Sequence, residues 1–236
     1  MSAQTTMSPA TEIVLQQICD SVFPIGAYSH SYGLETYIQL ERVRDEATAW
    51  EFLAGQVRYP LTYTELLGMR LAFDATAAED LARVVDLEAR LAALKVPAET
   101  RAASEKLAAR FVRTTAGLGA LGERGAATYR AYAAARPTHA VNAAYGVFAA
   151  LAGMDLEHLL RRYLYAQVSA LTVTCVKTIP LSQTAGQGLI ARSIPLQVEA
   201  VHRALAAGDG MLGLSMPGFD VRCIEHESLY SRLYMS

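Results

Sequence analysis

The sequence predicts an all-α protein, a single-domain bundle of about ten helices ending in a short docking tail. Two patterns carry that prediction. Apolar residues recur with a period near 3.6 from Ile13 to Ala206, and no alternating run rivals them. Proline, glycine and Asx signals fall between the periodic segments, and neither a low-complexity linker nor a 20–50-residue repeat divides the chain. At 236 residues and 52% hydrophobic content the chain can bury a sizeable core. The expected division is a helical body over 1–216 and an interaction tail over 217–236.

Taken in order, Ser8-Pro9 opens a first helix that runs to about Asp20, with Pro at an early position and Glu12 in the first turn. A second is expected from Ser31 to Leu40. Asp45 reads as the N-cap of a helix bearing Trp50, Leu53 and Val57, and Pro60 ends it or begins the next. Leu81, Val84, Leu87, Leu91 and Leu94 mark an amphipathic helix before Pro97. An alanine-rich helix follows over 98–115. Gly117, Gly119, Gly122 and Gly125 then break the pattern before a helix that ends at Pro137. Thr138 is expected to cap a helix from His139 to Ala152, stopped by Gly153. Asp155 caps the strongest pattern, with Leu156, Leu159, Leu160, Tyr163, Leu164, Val168 and Leu171 on one face. Two shorter helices, about 182–192 and 195–206, precede the Gly208 and Pro217-Gly218 breaks.

The stretch Ser21 to Thr36 interrupts the helices with Pro24, Gly26 and Gly33, yet carries Val22, Phe23, Ile25 and Tyr28 close together. It reads as an ordered elbow with a packed apolar side and a presented polar side. Ser29 or Ser31 is expected to cap the following helix.

Charge and motifs narrow the function. A net charge of −2 and a pI near 6.2 argue against a nucleic-acid binder. The three cysteines, Cys19, Cys175 and Cys223, are widely spaced and odd in number, which implies no disulfide framework and a reducing compartment. The N-terminus lacks a basic region before an apolar run, and 164–179 is too interrupted to span a membrane, so a cytoplasmic protein is expected. The run Gly117-Leu118-Gly119-Ala120-Leu121-Gly122 matches G-x-G-x-x-G but follows a helix, where a dinucleotide site needs a strand. There is no phosphate-binding G-x-x-x-x-G-K-[S/T], no H-E-x-x-H and no G-x-S-x-G. Cys223-x-x-His226-Glu227 places a thiol and an imidazole on one helical face, and His30 sits among hydroxyls. These are weak metal candidates, because a closed site wants about four ligands. No nucleophile is paired with an acid or base, so catalytic residues are expected to be none.

Four blocks together resemble the urease accessory protein UreF family. They are the elbow Phe23-Pro24-Ile25-Gly26 through Ser31-Tyr32-Gly33-Leu34-Glu35; Thr138-His139-Ala140 with Tyr145-Gly146-Val147-Phe148; Tyr163-Leu164-Tyr165-Ala166-Gln167 leading to Cys175-Val176-Lys177-Thr178-Ile179-Pro180; and His226 through the terminal Ser236. Their order and ending are similar to the ε-proteobacterial branch. The resemblance implies a non-enzymatic urease maturation factor that binds UreD/UreH, recruits the GTPase UreG and helps deliver nickel to apo-urease. It implies a homodimer that binds no cofactor tightly, nickel being the cargo of the assembly. A direct nickel-binding metallochaperone is the alternative, and a helical enzyme a third class. Under this reading Tyr28, Ser29, His30, Ser31, Tyr32 and Glu35 face the GTPase or line a route for the ion. Arg222, Glu225, His226, Glu227, Tyr230, Arg232 and Tyr234 form the contact of the tail. Arg161, Arg162 and Tyr165 form the dimer contact, an arginine and a tyrosine on one helix being good interface anchors.

Overall fold

The computed structural model describes residues 7–27 and 30–235. Among them it contains α-helices, a π-helical segment and a 3-10 turn, and no strand. The order is α1 (Pro9–Ile18), α2 (Leu34–Gln39), α3 (Glu46–Gln56), α4 (Leu67–Ala77), α5 (Leu81–Leu94), α6 (Ala98–Ala116), α7 (Glu123–Ala135), α8 (Val141–Leu151), α9 (Leu156–Thr178), α10 (Gln183–Ala206) and α11 (Pro217–His226). The all-α bundle read from the sequence is the fold observed, and among the described residues no helix is long and apolar enough to cross a membrane.

Helix α8 is the centre. Every residue from Val141 to Ala149 is buried, because the helix is apolar on all sides and has no face for water. Its closest neighbour is α4. A Cβ at Gly146 would lie 2.3 Å from the Met69 carbonyl oxygen, and one at Gly68 would lie 2.8 Å from Asn142 Nδ2. Glycine at both positions therefore sets how near the two backbones come. The expected caps form at Ser8, Asp45 and Asp155, whose side chains accept the amides of Thr11, Thr48 and His158 at 3.1, 2.8 and 2.8 Å. At Gly153, φ is +66°, and the Gly153 and Met154 amides turn back to Ala150 and Ala149 at 3.3 and 2.9 Å, which closes α8 as expected.

Five expectations change. Pro60 ends no helix: it sits inside the π-helical segment Val57–Leu66, which joins α3 to α4 without a break. A π register pairs each carbonyl with the amide five residues on, so the missing amide of Pro60 is bypassed. Thr62 Oγ1 (to Val57 O, 2.5 Å) and Asn142 Nδ2 (to Thr64 O, 2.9 Å) satisfy carbonyls there. Pro195 likewise lies within a single helix α10, where Ser193 Oγ donates to the Ile190 carbonyl at 2.7 Å. Helix α2 starts at Leu34, not Ser31. Gly33 occupies the cap position at φ +79° with no side-chain cap, and Ser31 is fully buried. Helix α8 starts at Val141 and Thr138 does not cap it. Finally, the segment after Pro217 is not separate from the body: Phe219, Cys223 and His226 of α11 are buried within it.

The start of α8 is held by Glu88 of α5, only 1% exposed. It accepts the Tyr132 hydroxyl at 2.7 Å, His139 Nδ1 at 2.9 Å and the Ala140 amide at 3.2 Å. Burial works against the His139 imidazolium, but the hydrogen bond and charge of Glu88 outweigh it and raise the His139 pKa above its ordinary 6.5. The stabilisation is therefore full below about pH 6.5 and lost as pH rises through the raised value. His139→Gln should flatten the fall in melting temperature as pH rises above about 6.5, read by calorimetry.

Gly146→Ala should force α4 and α8 apart at a cost of about 3 kcal/mol, or roughly 6–12 °C in melting temperature for a chain of this size. Gly188→Ala, at an exposed site in α10 with nothing within 4 Å, should leave stability unchanged or raise it by up to about 1 kcal/mol.

Candidate partner-binding site

The polar residues picked out in the elbow and the terminal segment meet across α2, α6 and α11. His226 is fully buried between two carboxylates: its Nε2 lies 3.0 Å from Glu35 Oε2 and its Nδ1 2.9 Å from Glu99 Oε2. Both hydrogen bonds are made at once when both ring nitrogens carry protons. Glu35 also accepts the amides of Leu233 and Tyr234 at 2.8 and 3.0 Å, and Glu99 accepts Arg232 at 2.6 Å. Two further bonds extend the seam, from Gln39 Nε2 to the Ser231 carbonyl at 3.0 Å and from Thr36 Oγ1 to the Arg222 carbonyl at 2.8 Å. Residues 222–234 are thus strapped along α2 and α6. The left-handed φ of Gly33 makes room for the strap's root, since a Cβ there would sit 2.9 Å from Cys223 Sγ.

The electrostatics follow this geometry. Burial works against ionised Glu99, but His226 and Arg232 outweigh it and hold its pKa below the usual carboxylate range. Burial is the first cause that lowers the His30 pKa; Lys106 and Arg110 of α6 lower it further, against an opposing pull from Glu99. Burial pushes the Cys223 thiol up to about 11, so it remains protonated at neutral pH.

Two openings flank the strap. A cavity of about 390 Å³ lies between the elbow and α9, bordered by Cys19, His30, Tyr32, Tyr163, Tyr165 and Tyr234. A groove of about 570 Å³ lies between α6 and residues 232–235. His30 and Tyr234 border both. Tyr32 holds a left-handed φ of +51°, unusual for a bulky side chain, and burial raises its hydroxyl pKa.

Of the predicted partner residues, Tyr28 and Ser29 lie outside the described residues. His30 borders the same openings as Tyr32, Arg232 and Tyr234, and Glu35 meets His226; His30, Ser31, Glu35 and His226 are buried, and Glu35 and His226 spend polar atoms on each other. Glu227, Tyr230 and Arg232 are exposed, while Arg222 and Glu225 pair with each other. Arg161, Arg162 and Tyr165 lie on the open face of α9, with Arg161 paired to Glu157. The weak metal candidates do not converge: both His226 nitrogens are engaged by carboxylates. Among the described residues no group of three or more His, Cys, Asp or Glu side chains is placed to hold one ion. Sequence reasoning missed Glu99, Lys106 and Arg110, because no local spacing ties α6 to residues more than a hundred positions away.

The structure is thus a helical body with a strapped terminal segment, in which Glu35 and Glu99 are answered by His226 and Arg232 and Glu88 by Tyr132 and His139. The UreF family model matches residues 43–194, 152 of the 236 residues, and the chain belongs to that family of urease accessory proteins. The matched span contains Glu99; Glu35, His226 and Arg232 lie on either side of it.

His226→Ala should leave buried Glu35 and half-buried Glu99 short of a donor and cost about 2–3 kcal/mol, with faster proteolysis inside 227–235. Because the Glu99 pKa is lowered on folding, its stabilisation is present above the ordinary carboxylate value and is lost as pH falls through the folded one. Glu99→Gln should therefore lower stability at neutral pH and make the acid limb below about pH 4.5 shallower in denaturant titrations.

Proposed function

We propose that this chain acts in urease maturation as a non-enzymatic scaffold in the cytoplasm: it binds UreD/UreH, recruits the GTPase UreG and helps deliver nickel to apo-urease. The match to the UreF family over 43–194 carries the reading. The site supports it, since its buried polar groups are spent on fastening segments of the chain to one another. In this scheme Glu35 and His226 work indirectly, by holding the terminal segment in place. Glu227, Tyr230 and Arg232 then meet the partner from its exposed side, with His30 and Tyr32 at the cavity rim. Nickel is cargo and no cofactor is bound tightly. Homodimerisation uses the open face of α9, where Arg161 and Tyr165 stand four residues apart and Val173 is also exposed.

Co-purification with the urease accessory proteins and apo-urease tests the scaffold. The native chain should bring down UreD/UreH and, through that complex, UreG, while binding no GTP alone. Saturable GTP binding by the isolated chain, or sub-micromolar Ni²⁺ binding lost in His226→Ala, would sink the reading. Arg161→Ala with Tyr165→Ala should give monomer in light scattering with helicity intact; a tight dimer would place the contact elsewhere.

A further inference from the structure

We propose that the groove between α6 and residues 232–235 binds an acidic, partly apolar segment of a partner protein. Lys106 and Arg110 stand at i and i+4 on the exposed side of α6, so both cations look along one wall of the groove. Among the described residues no carboxylate pairs with either: Arg110 donates to the Ile25 carbonyl at 2.9 Å. Glu99 also lines the groove, but its two oxygens are already taken by His226 and Arg232. The wall therefore carries a local excess of positive charge in a chain whose net charge is −2. An acidic guest meets two unanswered cations; a basic guest meets only a spent carboxylate.

The groove also has an apolar side, which separates a peptide from a small anion. Leu233 and Met235 on the strap are 77% and 58% exposed, across from Leu107 and the alanines Ala102 and Ala103. The alanine floor leaves space for guest side chains. A free oxyanion gains nothing from exposed leucine and methionine, whereas a segment that carries carboxylates and large apolar residues gains from both. The position of the strap is fixed by Glu35 through the Leu233 and Tyr234 amides, so this side of the groove is formed before any guest arrives.

The test uses the full chain and no urease protein, so its outcome is independent of the urease reading. Fluorescence anisotropy would compare labelled dodecapeptides of alternating Glu and Leu, of Lys and Leu, and of Glu and Ser, with inorganic phosphate as competitor. The Glu/Leu peptide should bind saturably, more tightly than the other two, and lose affinity as salt rises. Lys106→Glu with Arg110→Glu should weaken it about tenfold or more and favour the Lys/Leu peptide. Lys106→Gln with Arg110→Gln should fall between. Both pairs lie at exposed positions, and circular dichroism checks that each variant is folded. The proposal is overturned if the Glu/Leu peptide does not bind, if the charge-reversed chain binds it unchanged, or if Lys/Leu binds the native chain equally well. Equal binding of Glu/Ser and Glu/Leu, with ready displacement by phosphate, would make this a small-anion site and overturn it also.

Discussion

The close crossing of α4 and α8 at Gly146 is the constraint on which the remaining packing depends. With 2.3 Å between a would-be Cβ and the Met69 carbonyl, no side chain fits between the two backbones. Drawing α8 so deep leaves it without a solvated face, and the polar groups it carries need partners inside. Asn142 finds the Thr64 carbonyl in the π-helical segment, and the Tyr145 hydroxyl donates to the Ile18 carbonyl at the end of α1 at 2.8 Å. The Tyr145 ring stacks on Phe111 of α6 with centroids 3.9 Å apart and meets Tyr163 of α9 edge-on at 5.2 Å. One buried helix thus binds α1, α4, α6 and α9 through named contacts.

Helices alone do not hold the non-helical segments, and the molecule meets that need twice with the same chemistry. Glu88 takes a histidine and a backbone amide to pin the approach to α8; Glu35, with Glu99, takes a histidine and two backbone amides to pin the terminal strap. A carboxylate suits this because its two oxygens accept several donors at once, and hydrogen bonds to an ionised acceptor are the stronger ones. A further, half-buried carboxylate, Glu65, pairs with buried Lys95 at 2.5 Å beside the Tyr163 hydroxyl. Such pairs add little net stability over an apolar filling, but removing one partner costs several kcal/mol.

Periodicity made the helices legible because each is stabilised by an apolar face that a one-dimensional pattern records; Leu159, Leu160, Leu164 and Val168 all lie where the pattern put them. Caps were legible where one side chain serves a nearby amide, as at Asp45 and Asp155. Prolines 60 and 195 were misread because a proline announces a missing donor, not how the surroundings compensate: Asn142 beside the first and Ser193 beside the second answer nearby carbonyls. Thr138 failed as a cap because Glu88, some fifty residues earlier, claims His139 and Ala140. The site was legible in its members and not in their roles. His30, Glu35, His226 and Arg232 were all singled out, yet nothing local shows that Glu35 and His226, 191 positions apart, spend their polar atoms on each other.

The division of labour between body and strap bears on binding. The span matched to the UreF family holds α8 together with α4, α6 and α9, and of the strap's carboxylate anchors only Glu99 falls inside. The strap is consequently held to a rigid body by a few side chains, and not by a broad apolar face; Tyr230, Leu233 and Met235 are left open to solvent. Apolar side chains on a segment fastened by carboxylates at its backbone are displayed, not buried. A partner that covers them need not order the segment first, because Glu35 and Glu99 have already met that entropic cost. The wall facing them is α6, which belongs to the body and carries Lys106 and Arg110. One face of the groove is thus set by packing and the other by two carboxylates, so ligand affinity and strap retention should respond to different residues.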